Sequence, residues 1–142
     1  MQSWIVYGLV AAVFFALNTI IYKAAQQKGN FSPYYGIAMF SIGIIIVAGI
    51  FFFIRPSFEF DWKSSGLAII AGAVWAIGMI AVAIAISKKA DVARLAPIYN
   101  INTILAVLMG IVFLKEIPDA SQMIRVIGGA VLIVIGAILV SV

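Results

Sequence analysis

The sequence predicts an all-α integral membrane protein of five transmembrane helices, and three observations predict it. Hydrophobic residues make up 65% of the 142 and charged residues only 10%, against close to half and about a quarter in an ordinary soluble domain. A chain this small cannot hide that excess in one core, and its mean hydropathy is +1.22. The apolar residues also fall into runs of about 20, the length at which a helix crosses a hydrocarbon layer roughly 30 Å thick. Finally, stretches such as "IGIIIVAGIFFFI" lack the polar residue at every second position that a β-barrel strand requires. The bilayer is the solvent, and helices are the elements.

A single domain is expected over 1–142, with helices at about 4–24, 33–54, 65–87, 93–114 and 120–142. The first follows "MQSW", which carries no Lys or Arg, and its apolar run is too long for a signal-peptide core, so it reads as a retained span. The second opens at "FSP", with Ser32 as N-cap and Pro33 at the first helical position, where a missing N–H is harmless. Pro56 follows its end. The third is "GLAIIAGAVWAIGMIAVAIAI". In the fourth, Asp91 of "KKADVAR" is the candidate cap, and Pro97 deprives the Ala93 carbonyl of its helical donor. Transporter sites often lie beside such interruptions, but Pro97 stands so near the beginning that it reads as shaping the helix start. The fifth opens at "PDASQ", where Asp119 and Gln122 form a variant of the capping box. Gly128, Gly129 and Gly136 in this last helix read as a packing seam.

Almost every charge lies in the joints: Lys23 and Lys28; Arg55, Glu59, Asp61 and Lys63; Lys88, Lys89, Asp91 and Arg94; Lys115, Glu116 and Asp119. Arg125 alone enters a helix, near enough to its start to snorkel to the headgroups. No loop exceeds about a dozen residues, so the net charge of +4 belongs beside anionic lipid and predicts no nucleic-acid partner. Lys and Arg number four on the side of the N-terminus (Arg55, Lys63, Lys115, Arg125) and five on the other (Lys23, Lys28, Lys88, Lys89, Arg94). A difference of one gives the positive-inside rule almost nothing to read. Either helix hydrophobicity or a partner settles the orientation, or copies insert both ways and pair antiparallel.

Several chemistries are excluded. There is no His and no Cys, and no Asp or Glu lies mid-span, so metal and haem ligation lack their side chains and no cofactor is expected. Nucleophile–base pairs lack their usual partners, and an intramembrane proton relay lacks its carboxylates, Glu116 at a helix end excepted. The chain therefore reads as no enzyme. Glu116 itself is expected to form an ion pair with Arg125 or Lys115 rather than to bind substrate.

What remains is a set of polar and aromatic stripes. At about 100° per residue, Tyr7, Ala11, Phe14, Asn18 and Ala25 share one face of the first helix, with Tyr22 at its margin. The third helix aligns Ala68, Gly72, Trp75, Met79 and Val82, with Gly78 beside them; the fourth aligns Tyr99, Asn102, Thr103 and Ala106, which Asn100 extends sideways. Such faces are expected to turn inward. Asparagines in membrane helices also serve as interhelical glue and small residues as packing surfaces, but glue does not account for the aromatic component. The candidate substrate-binding residues are Asn18, Trp75, Tyr99, Asn100, Asn102, Thr103, Tyr7 and Phe14.

The stretch from Lys88 to Val142 carries small residues and Pro97 opening the fourth helix, Glu116 closing it, a short linker, and Gly128 and Gly136 in the last helix. It resembles the last two helices of an EamA-type repeat of the drug/metabolite transporter superfamily, and Asn18 in "FFALNTIIYKAA" matches a small-polar position of the first helix in that family. Members usually carry two such repeats in inverted orientation. The resemblance implies that a single repeat supplies the inverted pair by inserting both ways and dimerising. The related small multidrug resistance proteins do so with a proton-coupling carboxylate in the first helix; this chain has none there, and the resemblance does not extend to proton antiport.

Together these readings describe a multi-pass protein of a prokaryotic plasma membrane that moves a small solute by alternating access. It would act as an antiparallel, dual-topology homodimer with its site at the midplane. An amino acid, a metabolite or an aromatic or cationic compound suits the lining. The alternatives are a non-transporting membrane subunit or scaffold, and a flippase for lipid-linked substrates.

Overall fold

The computed structural model describes residues 3–29, 31–54, 60–116 and 119–141, and these form helices and connecting turns with no strand among them. In order they are α1 (Ser3–Lys28), α2 (Pro33–Ile54), α3 (Trp62–Ser87), α4 (Val92–Tyr99), α5 (Asn102–Phe113) and α6 (Ala120–Ser141). Five stretches among the described residues are long and apolar enough to cross a membrane: Trp4–Lys28, Pro33–Ile54, Trp62–Ser87, Val92–Phe113 and Ser121–Val140. The expected roles of Arg55, Pro56, Glu59 and Pro118 lie outside the described residues. The chain divides into two compact units, 1–89 and 90–142.

In the first unit, α2 packs along α3, and α1 touches α3 more lightly. Lipid supplies no hydrophobic drive for helix association, so close packing and hydrogen bonds must do it. The side chains that become buried are Tyr22, Ile37, Ala83 and Ile86, with Thr19 the buried polar one. The packed face of α1 therefore runs through Thr19 and Tyr22, one step round from the Tyr7–Phe14–Asn18 stripe. Thr19 returns its hydroxyl hydrogen to its own helix at Phe15 O (3.0 Å), and Tyr22 Oη donates to Pro33 O at 3.4 Å. Gly36 lets this happen: a Cβ there would collide with Tyr22 Oη and with the Phe31 ring. Pro33 is the first residue of α2, as the sequence expects, and Ser32 O accepts the Gly36 N–H at 2.9 Å.

The start of α3 is fixed by a cap the sequence reading passed over. Asp61 has extended backbone, and its Oδ2 accepts the Ser64 N–H at 2.7 Å, satisfying one of the orphan donors of the first turn. Hydrogen bonds from Ser64, first from its hydroxyl and then from this N–H, hold the Asp61 carboxyl below the usual aspartate value. A group whose pKa is lowered by folding adds stability above its unfolded value and loses it as pH falls through the folded one. Protection of the Ser64 amide against hydrogen exchange, corrected for the intrinsic rate, should therefore be full at neutral pH. It should fade once pH drops below the ordinary aspartate range. Asp61→Ala should show the low-pH behaviour throughout, and equal protection in that variant would sink the assignment.

In the second unit, α6 packs against both α4 and α5. The seam is alanine, not glycine: Ala130 and Ala137, seven residues apart, are 3% and 2% exposed. Gly128, Gly129 and Gly136 have nothing within 4 Å of a would-be Cβ. The spacing explains the exchange, since neighbouring positions on a helix point about 100° apart and only one column faces a partner. At the start of α6, Gln122 Nε2 donates to Asp119 Oδ2 at 3.4 Å. The two residues meet as expected, but side chain meets side chain where a capping box would return the amide to the backbone.

Both α3 and α5 end on a lysine in the left-handed region, Lys89 at φ 65° and Lys115 at φ 55°, where glycine is the usual occupant. The turn at Lys115 brings the Glu116 N–H to Gly110 O at 3.2 Å and lays the Glu116 carboxylate over Gly110, 3.1 Å from a would-be Cβ. Glu116 is thus folded back on its own helix end instead of pairing with Lys115 or Arg125.

Candidate functional site

The fourth span is interrupted. Helix α4 stops at Tyr99 and α5 starts at Asn102, with Asn100 and Ile101 between them. Within this turn the N–H groups reach back three residues: Ile101 to Ile98 O (3.2 Å), Thr103 to Asn100 O (3.0 Å) and Ile104 to Ile101 O (3.1 Å). That is the 3₁₀ pattern, which adds about 20° of rotation per residue over an α-helix and re-aims the side chains beyond it. Asn100 lies eight residues beyond Val92, about 12 Å at 1.5 Å per residue, so the turn falls near mid-depth of a layer about 30 Å thick. The sequence places the effect of Pro97 at the helix start. In the structure the irregularity lies a few residues later, in the middle of the span.

Irregular backbone at membrane depth survives only where protein or a water-filled cavity shelters it. The residues at this turn are polar: Tyr99 and Thr103 are half-buried, while Asn100 and Asn102 are exposed in the single chain. All four lie within the turn and its two flanks, so the second unit brings them together as the sequence spacing suggests. The shared face with Ala106 assumed a continuous helix, and the tighter turn alters that register.

In the first unit the candidates do not form one cluster. Tyr7 and Phe14 are 74% and 65% exposed and make no ring contact among the described residues. Asn18 is half-buried. Trp75 stacks on Phe40, with centroids 5.6 Å apart and planes at 29°, and Phe40 in turn meets Tyr22 in a T-shaped contact, centroids 6.4 Å apart. This ladder of Tyr22, Phe40 and Trp75 from three helices was not found by sequence reasoning; α2 has apolar residues on every side, and nothing in "YYGIAMFS" marks Phe40.

Depth can be assigned from one contact. Gln26 Nε2 donates to Ala83 O at 3.5 Å, and α1 and α3, separated by the antiparallel α2, run in the same direction. Eight residues back on each helix, about 12 Å, stand Asn18 and Trp75. They occupy the same level.

None of the side-chain amides of Asn18, Asn100 and Asn102 makes a hydrogen bond among the described residues, whereas the hydroxyls of Thr19, Ser41 and Ser87 are bonded to carbonyls of their own helices. An amide that glues helices together must hold a partner on another helix; these do not. What they offer is donor and acceptor capacity without charge.

A family described as "Sugar transport protein" matches the chain over residues 1–142. It is this family that matches, not the EamA-type repeat the motifs resemble. The chain is similar to "Uncharacterized protein MJ1333.1" of Methanocaldococcus jannaschii, with 32% identity over 143 residues that take in 100% of this chain and 98% of that one. It is also similar to "Putative sugar uptake protein lmo0169" of Listeria monocytogenes, with 25% identity over 95% of this chain and 47% of that protein. A third relative, "Putative sugar uptake protein lin0215" of Listeria innocua, is 36% identical over 56% of this chain and 28% of that one. The chain thus spans about half the length of the first Listeria protein and nearly all of the Methanocaldococcus one. No solved structure matches it.

Proposed function

The chain belongs to the sugar transport protein family, and from that premise we propose that it is a half-size membrane transporter for a small uncharged solute, a sugar. The observation that carries the reading is the interrupted fourth span, which sets Asn100 and Asn102 at mid-depth beside a helix break. Discontinuous helices near the midplane are a recurrent way for transporters to offer backbone and side-chain groups to a substrate. A sugar needs many neutral donors and acceptors, and amides provide both. No carboxylate lies mid-span to hold a cation. The names of the Listeria relatives point to sugar uptake, which supports the same class. The candidate contacts are Tyr99, Asn100, Asn102 and Thr103 in the second unit and Tyr7, Phe14, Asn18 and Trp75 in the first.

The working unit in this proposal is a pair of copies inserted in opposite directions. Five spans put the two ends of the chain on opposite sides, so a second, inverted copy supplies the other half of the site and alternating access is the rocking of one against the other. The near-even distribution of Lys and Arg supports this.

Purified protein in liposomes should exchange radiolabelled D-glucose across the bilayer when unlabelled D-glucose is trapped inside, and trapped tetraphenylphosphonium should not drive that exchange. Exchange of the cation with none of the sugar would overturn the sugar reading in favour of an aromatic-cation carrier.

A further inference from the structure

We propose that Phe40 is a positioning residue: it seats the indole of Trp75 as a platform for the flat C–H face of a pyranose ring. The inference rests on the sugar-transporter reading and deepens it. Trp75 keeps 43% of its surface exposed although Phe40 covers one face of the ring. Phe40 is itself pinned, since it meets Tyr22 in a T-shaped contact and Tyr22 is buried and tied to Pro33. Three helices thus fix one indole plane.

Trp75 lies in the middle of α3, 13 residues after Trp62, and not at the interfacial depth where tryptophan usually anchors a membrane helix. Its π-face carries partial negative charge. Pyranose rings present patches of slightly positive C–H hydrogens on one face and hydroxyls around the rim, so they meet an aromatic plane face-on and an amide edge-on. Asn18 provides such an amide, with no hydrogen bond among the described residues and at the depth of Trp75. An open-chain polyol has the same hydroxyls but no flat apolar face. The platform should therefore discriminate ring from chain.

The full-length chain with Trp4→Phe and Trp62→Phe leaves Trp75 as the sole tryptophan, so its emission in lipid nanodiscs reports binding without any assumption about energy coupling. D-Glucose should perturb that emission saturably, and D-glucitol should bind about 10-fold more weakly. Phe40→Leu keeps an apolar side chain but removes the stack, and should weaken glucose about 5- to 10-fold, the range for loss of one aromatic contact. Glucitol binding should hardly change, so the glucose-to-glucitol ratio collapses, while Phe40→Tyr should restore it. A merely structural Phe40 would lower both affinities alike or neither, and either result overturns the proposal. Should Phe40→Leu fail to yield folded protein, Phe40→Met makes the same test. A starting protein that exchanges glucose in liposomes but shows no Trp75 response removes the platform and leaves the transporter standing. If it does neither, both readings fall.

Discussion

Replacing Asn100 and Asn102 together with alanine is expected to lower sugar exchange about 5- to 150-fold while the protein still inserts and assembles. The magnitude comes from two hydrogen bonds to a substrate, each worth about 0.5 to 1.5 kcal/mol net, with tenfold for every 1.4 kcal/mol. Stability should be little affected, because neither amide holds another part of the chain among the described residues and both are exposed. Function and assembly are thereby separable. Were the asparagines glue, the double variant would fail to assemble and exchange would be lost for that reason. Size-exclusion profile and exchange rate must therefore be read from the same preparation. Normal exchange in a normally assembled double variant would remove the fourth-span turn from the site. Asn102→Ala alone should give a partial loss, as should Trp75→Ala, which removes a ring in the other unit.

Much of the fold behind this expectation was legible from the sequence. The five spans follow from apolar runs of bilayer length, and Pro33 marked the start of α2 because proline suits the first helical position. Asp61 was missed for a physical reason. The apolar run begins at Gly66, but a helix begins where its first N–H groups are satisfied, and "DWKS" supplies a cap before the hydropathy rises. The turn at Asn100 and Ile101 was half legible. The rule for proline concerns the carbonyl four residues before it, and says nothing of a 3₁₀ turn on its C-terminal side. The glycine seam failed because small residues permit close approach without requiring it. Phe40 was invisible because a phenylalanine in a helix with apolar residues on every side becomes informative only when its ring is seen against Trp75.

The largest effect should come from charge, far from any substrate. With four Lys and Arg on one side and five on the other, small changes decide which way the chain inserts. Lys63→Gln with Lys115→Gln leaves two against five, and should drive the second side to the cytoplasm in nearly every molecule. Lys28→Gln and Lys88→Gln with Lys89→Asn leaves four against two and should do the reverse; asparagine is chosen at 89 because it tolerates the positive φ there. An antiparallel pair needs both orientations, so each variant alone should lose essentially all sugar exchange, and the two expressed together should recover it. Orientation can be read directly, since the chain has no cysteine: single cysteines in the first and second joints, labelled from outside with an impermeant reagent, should each react in about half of the starting molecules, and in all or none of each biased variant. Full activity in either biased variant expressed alone would mean that inverted copies are not required. The second half of the site would then have to come from copies that face the same way.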